Sequence, residues 1–251
     1  MATAAPEAKV DIGRVLSRGF ATLGANFLPF LALSLVLAGL PAFALDYWRW
    51  GTSADPRLDW TWPVGVLLAS LVADTLLTGV LVRSTILHLG GRDSAPGASA
   101  LLALRLLPAL VGLSLLLAVA VGIGLVFLIV PGVMIYCATS VAVPVLMEER
   151  CGVFGSIERS RALTRGSRWP IFALVVLLWI IGAVIQGVCV RFSMLGADEA
   201  AGPDPAVAGI ADALSAGLST MIVAVVLAAL YVELREVKEG ASVNALADVF
   251  A

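Results

Sequence analysis

The chain has 251 residues, of which 60% are hydrophobic and 14% charged, with a mean hydropathy of +1.01 and a formal net charge of −2. Soluble domains are about 45–50% apolar and about 25% charged. So few charges do not cover a water-facing surface, which excludes a soluble enzyme, a nucleic-acid binder and a disordered chain as whole-chain readings. What remains is an all-α, polytopic transmembrane helical bundle.

A helix crossing about 30 Å of hydrocarbon needs roughly 20 apolar residues. The polar lead carries Lys9, Arg14 and Arg18, and residues 8–25 read as an amphipathic segment on the inner surface. The first span covers 27–46. Its Ala42-Phe43-Ala44 has the A-x-A pattern of a cleavage site, but run and lead are both long, so the segment is read as a retained first helix. The second span, 62–89, carries Asp74 and Arg83. Residues 96–105 form a second amphipathic segment.

Next comes an uncharged stretch of 42 residues between Arg105 and Glu148. As one helix it would measure about 63 Å, twice the bilayer core. It is therefore two spans, 106–127 and 131–148. The break falls near Gly122, Gly124 and Ile129-Val130-Pro131-Gly132, where the breaking residues lie. A basic loop follows, with a third amphipathic segment over 152–167. The fifth span covers 169–190 and the sixth 207–234. The whole of 1–251 reads as a single membrane domain.

Proline opens three of these spans from the same side. Asn26-Phe27-Leu28-Pro29, Arg105-Leu106-Leu107-Pro108 and Arg168-Trp169-Pro170 each follow one of the amphipathic segments. Proline suits the first turn of a helix, where its missing N–H would be unpaired anyway. The unit, an interfacial helix plus a transmembrane hairpin, would occur three times in parallel. The alternative is the ordinary habit of chains entering a membrane.

Orientation follows from Lys and Arg. With the N-terminus inside, thirteen of the sixteen basic residues face the cytoplasm and only Arg49, Arg57 and Arg191 lie outside. Six spans then put both termini inside. Trp48, Trp50, Trp60 and Trp62, with Tyr47, flank the first outer loop as an interfacial belt or as an outward recognition surface. Cys137, Cys151 and Cys189 have no metal-ligand spacing and read as reduced and structural.

The stretch LIVPGVMIYCATSVAVPVLMEERCGVFGSIERSRALTRGSRWPIFALVV, Leu128 to Val175, resembles a family of uncharacterised bacterial integral membrane proteins. That family is related to the membrane domain attached to some glycerophosphodiester phosphodiesterases. Val15-Leu16-Ser17-Arg18-Gly19-Phe20 and Asn26-Phe27-Leu28-Pro29 are similar to the family's opening, and Glu158 departs from its basic loop. The resemblance implies a fold and a location in the bacterial cytoplasmic membrane, and no reaction.

The related phosphodiesterase chemistry needs several carboxylates and histidines around a metal. His88 is the single histidine here, at the inner end of the second span. C-x-x-C, H-E-x-x-H and Gly-x-Ser-x-Gly are absent. No catalytic residue, metal or cofactor is expected.

Asp74 is the strongest candidate. It lies twelve residues, about 18 Å, along the helix from Trp62, near the bilayer midplane, with Thr78 one turn on. A carboxylate there must be protonated, paired or facing water. It is either a proton- or cation-sensitive site or a structural acid bonded to a neighbouring helix. Gln186 is the other polar group expected in the bundle. Arg191 and Asp212 sit at adjacent helix ends as an expected ion pair. Ala213, Gly217 and Gly182 are packing positions.

Arg159, Arg161, Arg165 and Arg168 are candidate contacts for anionic headgroups or a membrane protein partner, unless they are only the positive-inside signal. The reading that results is a non-enzymatic scaffold or accessory subunit in envelope or lipid homeostasis. The competing reading is a small-solute transporter using Asp74.

Overall fold

The computed structural model describes residues 10–51, 61–91, 96–195 and 204–240. The side chains of Tyr47, Trp48, Trp50, Trp60 and Trp62 lie outside the described part, and so does the expected aromatic belt. Among the described residues the chain is helix throughout, with no strand.

Helix α1 (Ile12–Ala25) starts at Asp11, whose Oδ1 accepts from the amides of Gly13 at 2.9 Å and Arg14 at 3.3 Å. Asn26 leaves helical geometry, and α2 (Phe27–Ser34) then runs through a π-helical stretch, Leu35–Gly39, into α3 (Leu40–Gly51) as one membrane span. The second span is α4 (Thr61–Leu89) and the third is α5 (Pro96–Phe127). The fourth is made of α6 (Ile129–Thr139) and α7 (Ala142–Glu149). Helix α8 (Gly152–Thr164) precedes α9 (Arg168–Ser193), and α10 (Pro205–Arg235) closes the bundle with a π-helical turn, Glu236–Gly240. Six helical segments are long and apolar enough to cross a membrane.

Three expectations change. The segment 96–105 is not a separate helix. It continues into the third span as α5, 32 residues long, with Pro108 inside. Ser99, Ala103, Leu110 and Leu113 are all buried, a stripe that crosses the proline. The packing of that stripe on α4 outweighs one lost backbone bond: a Cβ at Gly79 would lie 3.1 Å from Leu110 and 3.4 Å from Ala103.

The second change is in the fourth span. The uninterrupted helix expected over 131–148 breaks at Ser140-Val141. Pro144 has no N–H for the carbonyl of Ser140, so the ladder fails there. The third change concerns α8. Instead of lying free on the surface, it docks beneath α6 and α7 through a hydroxyl face of Ser156, Ser160 and Thr164.

The turn between α5 and α6 is the single extended residue Leu128 (φ −164°, ψ 141°), as the glycines and Pro131 predict. Two residues make it feasible. A Cβ on Gly124 would stand 2.8 Å from Gly132 Cα, and one on Gly132 would stand 2.7 Å from the Leu125 nitrogen. Only hydrogen at both positions lets the antiparallel helices close on so short a turn.

Helix α10 is the hub. It packs on α1, α3, α4 and α9. Met221, Ala224, Val225 and Ala228 face one core with α4 and α5, while Val226, Ala229, Leu230 and Leu234 face another with α1, α6 and α9. Small residues bring the backbones close. A Cβ at Gly39 would sit 3.1 Å from the carbonyl of Ala213, and one at Gly217 would sit 3.3 Å from Leu35. Gly182 is looser, 3.9 Å from Ser219. The outer faces of α5 and α9 expose Leu115, Val119, Trp179, Val184 and similar residues, as lipid-facing helices do.

Candidate functional site

Charged residues concentrate at the end of the bundle that carries α1, α8 and the end of α10. Most of them hold helices together. Arg18 reaches Glu233 at 3.2 Å and Glu236 at 2.8 Å, and Arg14 reaches Glu233 at 3.2 Å. The Glu233 side chain is 0% exposed, so α1 is fastened to α10 through a buried carboxylate. Arg83 of α4 pairs with Glu148 of α7. Arg159 contacts Glu149 at 2.9 Å and pairs with Glu239, while the Tyr231 hydroxyl donates to Glu149 at 3.1 Å. Arg159 therefore belongs to an internal lattice joining α7, α8 and α10, and not to the open surface expected for it.

Arg161, Arg165 and Arg168 are different. All three are exposed, and none lies within ion-pair distance of a carboxylate among the described residues. Lys238 joins them, its Nζ donating to the carbonyl of Arg165 at 2.8 Å. Sequence reasoning placed Lys238 on the inner side without linking it to the loop. Its position follows from the π-helical turn that extends α10. The turn between α8 and α9 thus gathers four cations, with Gly166 at φ 88° making the bend. Trp169, 81% exposed, follows Arg168 at this turn.

The break in the fourth span organises a second place. A continuous helix would close the Ala138 carbonyl with the amide of Ala142. Instead Ser160 and Thr164 of α8 donate their hydroxyls to it, at 3.0 and 3.3 Å. Beside the break lies a cavity of about 280 Å³, whose polar lining is Thr78, Ser140, Ser219 and Thr220. Thr78 therefore lines a largely apolar space between α4, α10 and the break, with three other hydroxyls in its wall. Asp74, one turn away on α4, is half-buried and makes no hydrogen bond among the described residues. Ser140, Ser219 and Thr220 were not singled out from sequence. Pro144 was the available signal for the break, and scattered hydroxyls in apolar helices carry none.

Gln186 does not join this cavity. It is exposed on α9, and its Nε2 donates to Asp212 Oδ1 at 3.1 Å. That bond replaces the expected Arg191–Asp212 pair. Arg191 lies five residues, about 7.5 Å, further along α9, past the level of Asp212. Among the described residues no cluster of His, Cys, Asp and Glu is arranged to hold a metal. Cys137, Cys151 and Cys189 are free thiols.

The chain is similar to bacterial membrane proteins. It is 32% identical over 120 residues to a UPF0259 membrane protein of Pectobacterium carotovorum, covering 46% of each chain. It is 28% identical over 170 residues to UPF0259 membrane proteins of Yersinia pestis and Yersinia pseudotuberculosis, covering 67% of this chain and 63% of theirs. The matches thus span less than two thirds of those relatives' own length. No family model matches the chain, and no solved structure does. Six apolar helices and these relatives make it a multi-pass integral membrane protein.

Proposed function

We propose that the protein is a non-enzymatic scaffold or accessory subunit of the bacterial cytoplasmic membrane, acting in envelope or lipid homeostasis with both termini inside. The observation that carries this reading is the division of labour among the arginines. Arg14, Arg18, Arg83 and Arg159 are consumed in fastening helices, whereas Arg161, Arg165 and Arg168 stay exposed on a rigidly docked turn. A fixed, unneutralised basic surface at the membrane interface suits anionic headgroups or an acidic partner.

The resemblance of residues 128–175 to an uncharacterised membrane-protein family, itself related to the membrane domain attached to some glycerophosphodiester phosphodiesterases, fits the same reading. This chain would hold a partner at the membrane. The test is capture of tagged protein from its own membranes. A partner retained by wild type and lost from R161A/R165A/R168A supports the reading; equal recovery with both sinks it.

The cavity that Thr78 lines, with Asp74 one turn away on the same helix, supports a second reading, a transporter of small solutes or protons. Proton flux into proteoliposomes, followed with an entrapped pH dye, tests it. Transport requires flux in wild type that Asp74→Asn abolishes while the protein stays folded.

A further inference from the structure

Helix α9 packs on α10 and, less extensively, on α6, but stands away from α5. The gap is an apolar crevice of about 500 Å³. Phe172, Val176, Trp179 and Ala183 of α9 form one wall, with Leu125 of α5 and Tyr136 of α6 opposite. Those α9 positions recur at helical spacing, so they form one stripe along the axis. Arg168 stands four residues before Phe172, on the same stripe and about 6 Å nearer the basic end. The crevice therefore runs from the middle of the membrane toward the four-cation turn. Its mouth opens on the membrane face, where Trp179 is 75% exposed.

We propose that this crevice holds one acyl chain of an anionic phospholipid whose phosphate is received by Arg168, Arg165 and Arg161. Charge and size select this occupant. The stretch from Phe172 to Ala183 is about 16 Å long, and the apolar crevice along it has room for a hydrocarbon chain laid lengthwise. A hydrocarbon chain is slender enough to enter, and the walls offer it almost no polar group. One turn beyond Phe172, outside the crevice itself, Arg168 begins the group of exposed cations that supplies what a phosphate needs. Glu158 is the one acid on the exposed side of α8, and it makes no ion pair among the described residues.

This deepens the reading of the basic turn as the working surface and rests on it. The test is native mass spectrometry of the purified full-length protein, equilibrated with equal amounts of palmitoyl-oleoyl phosphatidylglycerol and phosphatidylethanolamine. A cation near an anionic surface contributes about fivefold in binding, so three contribute about a hundredfold. Wild type should retain one phosphatidylglycerol per chain with at least tenfold preference. R161A/R165A/R168A should lose the preference but still hold lipid. Ala183→Trp, an exposed change that fills the crevice, should lose both lipids. Arg105→Ala and Arg150→Ala remove exposed cations elsewhere and should behave as wild type. Equal retention of the two lipids by wild type overturns the proposal. So does an unaffected Ala183→Trp, or a second copy of the chain found in place of the lipid. A failed lipid preference with partner capture intact sinks this site alone; lost capture with the lipid preference intact sinks the scaffold reading alone.

Discussion

Glu233 and Arg161 illustrate two fates of a charge in so apolar a chain. Glu233 is fully buried between Arg14 and Arg18. Arg18→Ala leaves the buried carboxylate with Arg14 alone and should lower unfolding stability in detergent by about 1–3 kcal/mol, and Arg18→Met with Glu233→Met should recover most of it. Arg161→Ala removes an exposed, unpaired side chain and should change stability by less than about 0.5 kcal/mol. Chemical denaturation of the three variants separates the two classes. Sequence alone ranked these arginines by loop position and could not separate them. Arg159 and Arg161 are two residues apart on α8, and only the arrival of Glu149 and Glu239 from other helices neutralises the first.

At the scale of the element, proline explains both what was legible and what was not. Pro29, Pro131, Pro144 and Pro170 each stand two residues after the first residue of their helix, where no backbone donor is needed. Pro108 has the same flanking pattern yet sits inside α5. The difference is a buried stripe shared with α4, a tertiary fact that local pattern does not carry. Pro144 acts in the opposite sense: it breaks its span although the apolar run continues through it, which is why 131–148 reads as one helix. The hairpin between α5 and α6 was legible because one helix of that length would overshoot the bilayer. Gly132→Ala should destabilise by about 1–3 kcal/mol, since the new methyl meets Leu125 at once. Gly122→Ala meets nothing within 4 Å and should be neutral or stabilising by up to about 1 kcal/mol. Replacing Ser160 with Ala and Thr164 with Val leaves the Ala138 carbonyl without its two donors. That pair should cost about 1–3 kcal/mol and loosen α8, seen as faster proteolysis of the 150–168 turn.

For the whole molecule, hydropathy and helix length were enough to place six spans, because the bilayer permits so few ways to bury a backbone. The candidate site was legible only in part. Asp74 and Thr78 stand on one helix face by spacing alone, but the cavity beside them needs Ser140, Ser219 and Thr220 from two other elements. Gln186 turned out to face Asp212 on the surface. The crevice beside α9 was invisible because it is a gap between helices, and each wall reads as an ordinary lipid-facing stripe. The molecule therefore has two cavities, one beside Thr78 with four hydroxyls in a largely apolar wall and one along the outer flank of α9, and the proposed working surface is the basic turn beside the second.

The most direct test releases the protein gently from its own membrane and weighs it intact, comparing wild type, Asp74→Asn and R161A/R165A/R168A. The account predicts a discrete lipid or protein bound to wild type and Asp74→Asn and missing from the arginine variant. A small species bound to wild type and to the arginine variant, but lost from Asp74→Asn, would contradict it and move the function to the interior cavity.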